Sequence, residues 1–150
     1  TGLCVRMEGQ TLNRRLLLTS ESSLHPMFDH VGYRVSDMTK SKAFYEQALA
    51  PLKIKPLMGT DGQYCGFGVD RPQFWISQSN AERPAGKGTH VAFACETRAL
   101  VDAFYQAAMA AGGKDHGKPG PRPEYHKDYY GAFVLDLDGN NLEAVCHKPE

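Results

Sequence analysis

His30-Val31, heading the apolar run Gly32-Tyr33-Arg34-Val35, returns sixty residues later as His90-Val91, heading Ala92-Phe93-Ala94-Cys95; Ala43-Phe44-Tyr45 returns as Ala103-Phe104-Tyr105 at the same spacing. Two separate matches that share one offset are an internal repeat, and a repeat fixes architecture before any single element is assigned. Outward from the first copy, residues 28–36 alternate and are rich in β formers, which predicts a strand. Ser36-Asp37 supplies a helix cap, and residues 38–52 place Ala43, Phe44, Ala48 and Leu52 at helical spacing. Three further strands are expected at 53–58, 64–69 and 73–79, parted by turn residues around Gly59 to Gly62 and Asp70 to Pro72.

Residues 80–88, with Pro84, Gly86 and Gly88, read as a linker. The second copy then repeats the order: a strand over 90–95, a cap at Thr97, a helix over 98–111 and a stop at Gly112-Gly113. Residues 114–128 carry Gly117, Pro119, Gly120, Pro121 and Pro123, which predicts no regular structure beyond a short strand. A strand over 129–135, a tight turn at Asp136-Leu137-Asp138-Gly139-Asn140 and a strand over 141–147 close the unit. Tyr64-Cys65-Gly66 lines up with Tyr129-Tyr130-Gly131. The Asp136-x-Asp138-Gly139 spacing lacks the later ligands of a calcium loop, so it reads as a hairpin turn.

The chain has 150 residues, enough for one domain with its own core. Its 17 Lys and Arg balance 17 Asp and Glu, so no long-range field favours nucleic acid or an anionic membrane, and self-association is electrostatically unopposed. No stretch is long and apolar enough to span a membrane, and Leu16-Leu17-Leu18 is too short for a signal-peptide core, so a cytoplasmic protein is expected. Cys4, Cys65, Cys95 and Cys146 have no metal-binding spacing and read as reduced thiols. Residues 1–26 are set apart in composition and are expected to form an N-terminal extension of unknown role; residues 27–150 form the domain, with module one at 28–79 and module two at 89–148.

A repeated strand, helix and three-strand unit opened by His-Val resembles the vicinal oxygen chelate superfamily of glyoxalases, extradiol dioxygenases and bleomycin-resistance proteins. The resemblance covers residues 28–148 and is carried by His30 to Asp37 with Ala43-Phe44-Tyr45, by Gly88-Thr89-His90-Val91-Ala92-Phe93, and most strongly by Phe133 to Glu143. It implies an α+β fold of two tandem βαβββ modules forming a cupped mixed sheet with helices outside. It also implies a metal ligand on the first and last strand of each module. His30, His90 and Glu143 match three such positions, and the fourth falls in Phe74-Trp75-Ile76-Ser77, at Ile76, which is no ligand.

Two imidazoles and a carboxylate leave coordination positions open and suit Fe(II) or Mn(II); zinc and nickel accept the same donors. The expected activity is therefore that of a divalent-metal enzyme (Fe, Mn, Ni or Zn) on a small oxygen-chelating substrate, of glyoxalase/lyase or dioxygenase type. Glu143, or failing it His147, is the expected proton acceptor. Substrate contacts are expected from Arg34, an anion anchor or an ion-pair member, from Trp75 and Ile76, and from Tyr125, His126 and Tyr130 on or beside the Pro-rich loop. Lys118 and Arg122 read as solvated charges. The alternative is a metal-free module that binds or sequesters an antibiotic-like molecule. A homodimer is expected by resemblance, with the trio meeting within one chain or across two.

Overall fold

The computed structural model describes residues 27–149, so the N-terminal extension expected at 1–26 lies outside the described residues. In the first unit β1 (Val31–Val35) leads into α1 (Met38–Leu49), a 3-10 turn over Ala50–Leu52, then β2 (Lys55–Thr60), β3 (Tyr64–Gly68) and β4 (Phe74–Gln78). The second unit repeats this as β5 (His90–Ala94), α2 (Arg98–Ala110), β6 (Lys114–Pro121), β7 (Tyr130–Leu135) and β8 (Asn141–Cys146). Each unit makes its own four-stranded mixed sheet, β1-β4-β3-β2 and β5-β8-β7-β6, with its first strand parallel to its last.

The caps are where the sequence puts them. Asp37 accepts from Lys40 N at 3.0 Å and Thr97 from Leu100 N at 3.3 Å, each satisfying an orphan amide of the first helical turn. Residues 114–121 differ from expectation, because they form an eight-residue strand. Its pairing with β7 shifts register between Asp115 and Gly117 and again before Gly120, so bulges absorb the glycines without ending the strand. The β3 and β7 alignment also changes. Gly66 pairs with Trp75 and Phe133 pairs with Glu143, which superposes Tyr64 on Gly131 rather than on Tyr129.

The repeated Phe-Tyr pairs are core residues in both helices, Phe44 and Tyr45 on α1 and Phe104 and Tyr105 on α2. The helices pack on each other, and the helix-bearing sheet faces contribute Val35, Phe67, Phe74, Ile76, Val134, Leu142 and Ala144. An edge-to-face series runs from Tyr45 to Phe74 at 5.1 Å and from Phe74 to Phe93 at 5.5 Å, joining the two units. Fully burying a side chain of this kind stabilises by roughly 1.5–3 kcal/mol.

A polar clasp adds to this join. The Asp136 carboxylate, 4% exposed, accepts from Asp138 N, Asn140 N and Asn140 Nδ2, and from Tyr45 Oη of the other unit at 2.5 Å. Tyr45 Oη is also hydrogen-bonded to Tyr33 Oη, and Asp138 accepts from Ser36 N at 3.0 Å. The turn expected as a simple hairpin therefore ties the end of the second unit to the first.

Candidate functional site

Period-two alternation and the registers decide which side chains turn away from the helices. On the second sheet they are His90 and Ala92 of β5, Gly131 and Phe133 of β7, and Asn141, Glu143 and Val145 of β8. Glu143 is the centre of this face. Its side chain is 3% exposed, yet one oxygen lies 2.9 Å from His90 Nε2 and the other accepts a hydrogen bond from Tyr129 Oη. A buried carboxylate is costly without such partners. Gly131 makes the arrangement possible, because a Cβ there would stand 3.2 Å from Glu143 Oε1 and 3.2 Å from the Tyr129 ring.

Burial, and after it the adjoining Glu143 carboxylate, holds the Tyr129 phenol above its ordinary range, so Tyr129 stays protonated and donates. Its ring is packed by Tyr125 at 4.9 Å, His126 at 5.3 Å and His147 at 5.1 Å. Asp128 N donates to His126 Nδ1 at 3.2 Å, which leaves His126 Nε2–H to donate to His147 Nδ1 at 2.9 Å. Beside the His90–Glu143 pair opens a cleft of about 370 Å³ bordered by His90, His116, Arg122, Tyr125, Phe133 and Asn141.

His90, Glu143, Tyr125, His126 and His147 thus lie on or next to one face. His30 does not join them within the chain: its exposed ring bonds Asp29 Oδ1 through Nδ1 at 2.8 Å, and Arg71 holds the other Asp29 oxygen at 2.6 Å. Both partners keep the Asp29 carboxyl below its usual range, His30 first and Arg71 second. Among the described residues no three His, Cys, Asp or Glu side chains converge on a metal position.

Two expected substrate residues point the other way. Ile76 is fully buried among the helix-facing residues, and the register partner that answers to Glu143 in the first unit is Trp75, since Gly32 pairs with Trp75 as Ala92 pairs with Glu143. Tyr130 turns to α2, where its hydroxyl donates to Asp102 at 2.8 Å and Arg98 stacks on its ring at 5.1 Å. Tyr129 occupies the open face instead. Counting back in twos from Phe133 and Gly131 would have found it.

Trp75 lies over Gly66, where a Cβ would meet the indole at 2.8 Å, and 6.3 Å from Tyr64. Arg34 spends Nη1 on Gln78 O at 3.0 Å. Arg122 is not a free surface charge: it is half-buried, donates to Pro121 O and Lys118 O, and stacks on Phe133.

A family model described as Glyoxalase/Bleomycin resistance protein/Dioxygenase superfamily matches residues 27–144. No curated protein matches the chain. Among solved structures, a glyoxalase/bleomycin resistance protein from Albidiferax ferrireducens T118 is 31% identical, with a TM-score of 0.72 over 80% of this chain and 98% of that one. Lactoylglutathione lyase from Agrobacterium tumefaciens shares the fold at 16% identity, with a TM-score of 0.62 over 82% and 95%. TioX from Micromonospora sp. ML1 does so at 13% identity, with a TM-score of 0.62 over 81% and 98%.

Proposed function

The chain belongs to the Glyoxalase/Bleomycin resistance protein/Dioxygenase superfamily, and from that premise we propose a divalent-metal-dependent enzyme acting on a small oxygen-chelating substrate, of lyase or dioxygenase type. The observation that carries the reading is the buried Glu143 carboxylate 2.9 Å from the His90 imidazole on an open sheet face. An imidazole nitrogen and a carboxylate oxygen are donors that Fe, Mn, Ni and Zn accept. Among the described residues the buried Asn141 Oδ1 accepts no hydrogen bond, and Asn141 is the register partner of His90. His90 and Glu143 would hold the ion with His30 of a second copy, and the bound ion supplies Lewis acidity toward paired oxygens of the substrate.

The chain's own groups have separate tasks. Tyr129 donates to Glu143 Oε1 and fixes how the carboxylate is presented. Glu143 receives the substrate proton, and His147, oriented through its Nδ1 by His126, packs on the Tyr129 ring that holds Glu143. Phe133 and Tyr125 border the cleft and cover the substrate's carbon skeleton.

A homodimer follows from the third donor. Asp29 accepts a hydrogen bond from His30 Nδ1–H, the tautomer that frees Nε2 as a ligand, and the apolar side chains of Met27, Phe28 and Val31 beside it are exposed. The test is metal content per chain in protein purified without chelator, with the mass in solution measured alongside. Near-stoichiometric metal in a dimer, lost in Glu143→Ala, His90→Ala and His30→Ala, is the expected result. A second reading, a metal-free binding module, is favoured by one observation, the Trp75 indole where the first unit would otherwise carry its own Glu143. Tight ligand binding by a chain that takes up no metal would replace the first reading with the second.

A further inference from the structure

Arg122 is positioned more closely than a surface cation requires. Its guanidinium donates to Pro121 O at 3.1 Å and to Lys118 O at 2.8 Å, and lies 5.6 Å from the centre of the Phe133 ring. One glycine of β6, Gly120, makes room for it. A Cβ on Gly117 would stand 3.5 Å from one terminal nitrogen, and a Cβ on Gly120 3.1 Å from the other. Gly117 also sits at φ 157°, backbone that other residues rarely adopt. Among the described residues no carboxylate forms an ion pair with Arg122.

The cleft that Arg122 borders has no acidic side chain in its lining, and His116 lines it too. A guanidinium anchored by two carbonyls keeps its remaining N–H donors in a fixed plane, which is the geometry that a carboxylate or phosphate accepts.

We propose that this cleft binds a small organic anion, a carboxylate or a phosphate ester, with its acidic group on Arg122 and His116. This rests on the reading of the open face as the substrate site, and it names the substrate class. His90 borders the same cleft, which places the bound anion on the open face that carries the His90–Glu143 pair.

The test uses the full chain stripped of metal, with lactate, propionate, glycerol phosphate and inorganic phosphate as probes, read by calorimetry and by the histidine ring resonances. Saturable binding at about 1 mM or tighter is expected for lactate, propionate and glycerol phosphate, and each should move the His116 resonance. Arg122→Gln and His116→Ala should each weaken binding about tenfold. Because Arg122 also clamps the loop, thermal unfolding of Arg122→Gln is measured in parallel, and the exposed His116 provides a variant that leaves the fold intact. No saturable binding, or equal binding in His116→Ala, overturns the proposal. Anion binding by a chain that never loads metal removes only the metal reading, and metal loading without anion binding removes only this one.

Discussion

At Glu143 the decisive neighbour is a missing atom. With a Cβ at position 131 the carboxylate oxygen 3.2 Å away would have to move off the position in which Tyr129 holds it. Gly131→Ala is therefore expected to lower metal affinity about 10- to 100-fold, as is Tyr129→Phe, the range seen when a partner of a metal ligand is lost. Competition against a chromogenic chelator measures both, and unchanged affinity in Tyr129→Phe would show that Glu143 is oriented by something else. Cys95 makes a different prediction. Burial pushes its thiol up to about 11, so it should resist iodoacetamide at pH 8 in the folded chain and react once denaturant is added. Of the candidate site, His90 stands out by its match to His30 in the repeat and Glu143 only by the family resemblance, and the structure pairs the two on one face. Ile76 and Tyr130 were misassigned by one residue each, because only the pairing register says which parity of a strand faces the helix.

Elements show where composition misleads. A stretch with Gly117, Pro119, Gly120 and Pro121 reads as loop, yet each break in its pairing is absorbed by a bulge and the strand persists from Lys114 to Pro121. What sequence reading cannot supply there is the partner strand, which overrides local propensity. The Asp136 turn is legible in the sequence and its clasping role is not, since a donor 91 residues away, Tyr45, has no local signature. Tyr45→Phe leaves that buried carboxylate short of one donor and is expected to cost about 1–3 kcal/mol, lowering the melting temperature by several degrees. Asp136→Asn in the same background should cost less than it does alone, which a double-mutant cycle reads directly; strict additivity would mean that the contact adds nothing.

For the whole molecule, the fold was legible because the repeat gave order, count and helix faces twice over, and each copy checked the other. How the two units meet was not legible, since it depends on Phe74, Phe93 and the clasp, contacts between residues far apart in sequence. Burial places Tyr33 and Tyr45 at this join, and it raises their phenols as it does that of Tyr129 and the thiol of Cys95. In the unfolded chain these groups ionise near about 10 and 8.5. Above those values the unfolded state binds fewer protons than the folded one, so stability is full below about pH 8 and falls as pH rises through roughly 9–11. Melting temperatures in stepped buffers should show this decline, and a flat profile up to pH 11 would mean that the tyrosines ionise without unfolding. The clasp has one more consequence. The linker at 80–88 is largely exposed, and on either side of it stands a complete sheet with its own helix. The chain cut there yields two fragments whose mutual recognition is already written into Tyr45, Asp136, Ser36 and Asp138. Co-expressed halves should complement each other, as a split protein whose reassembly restores the native melting transition.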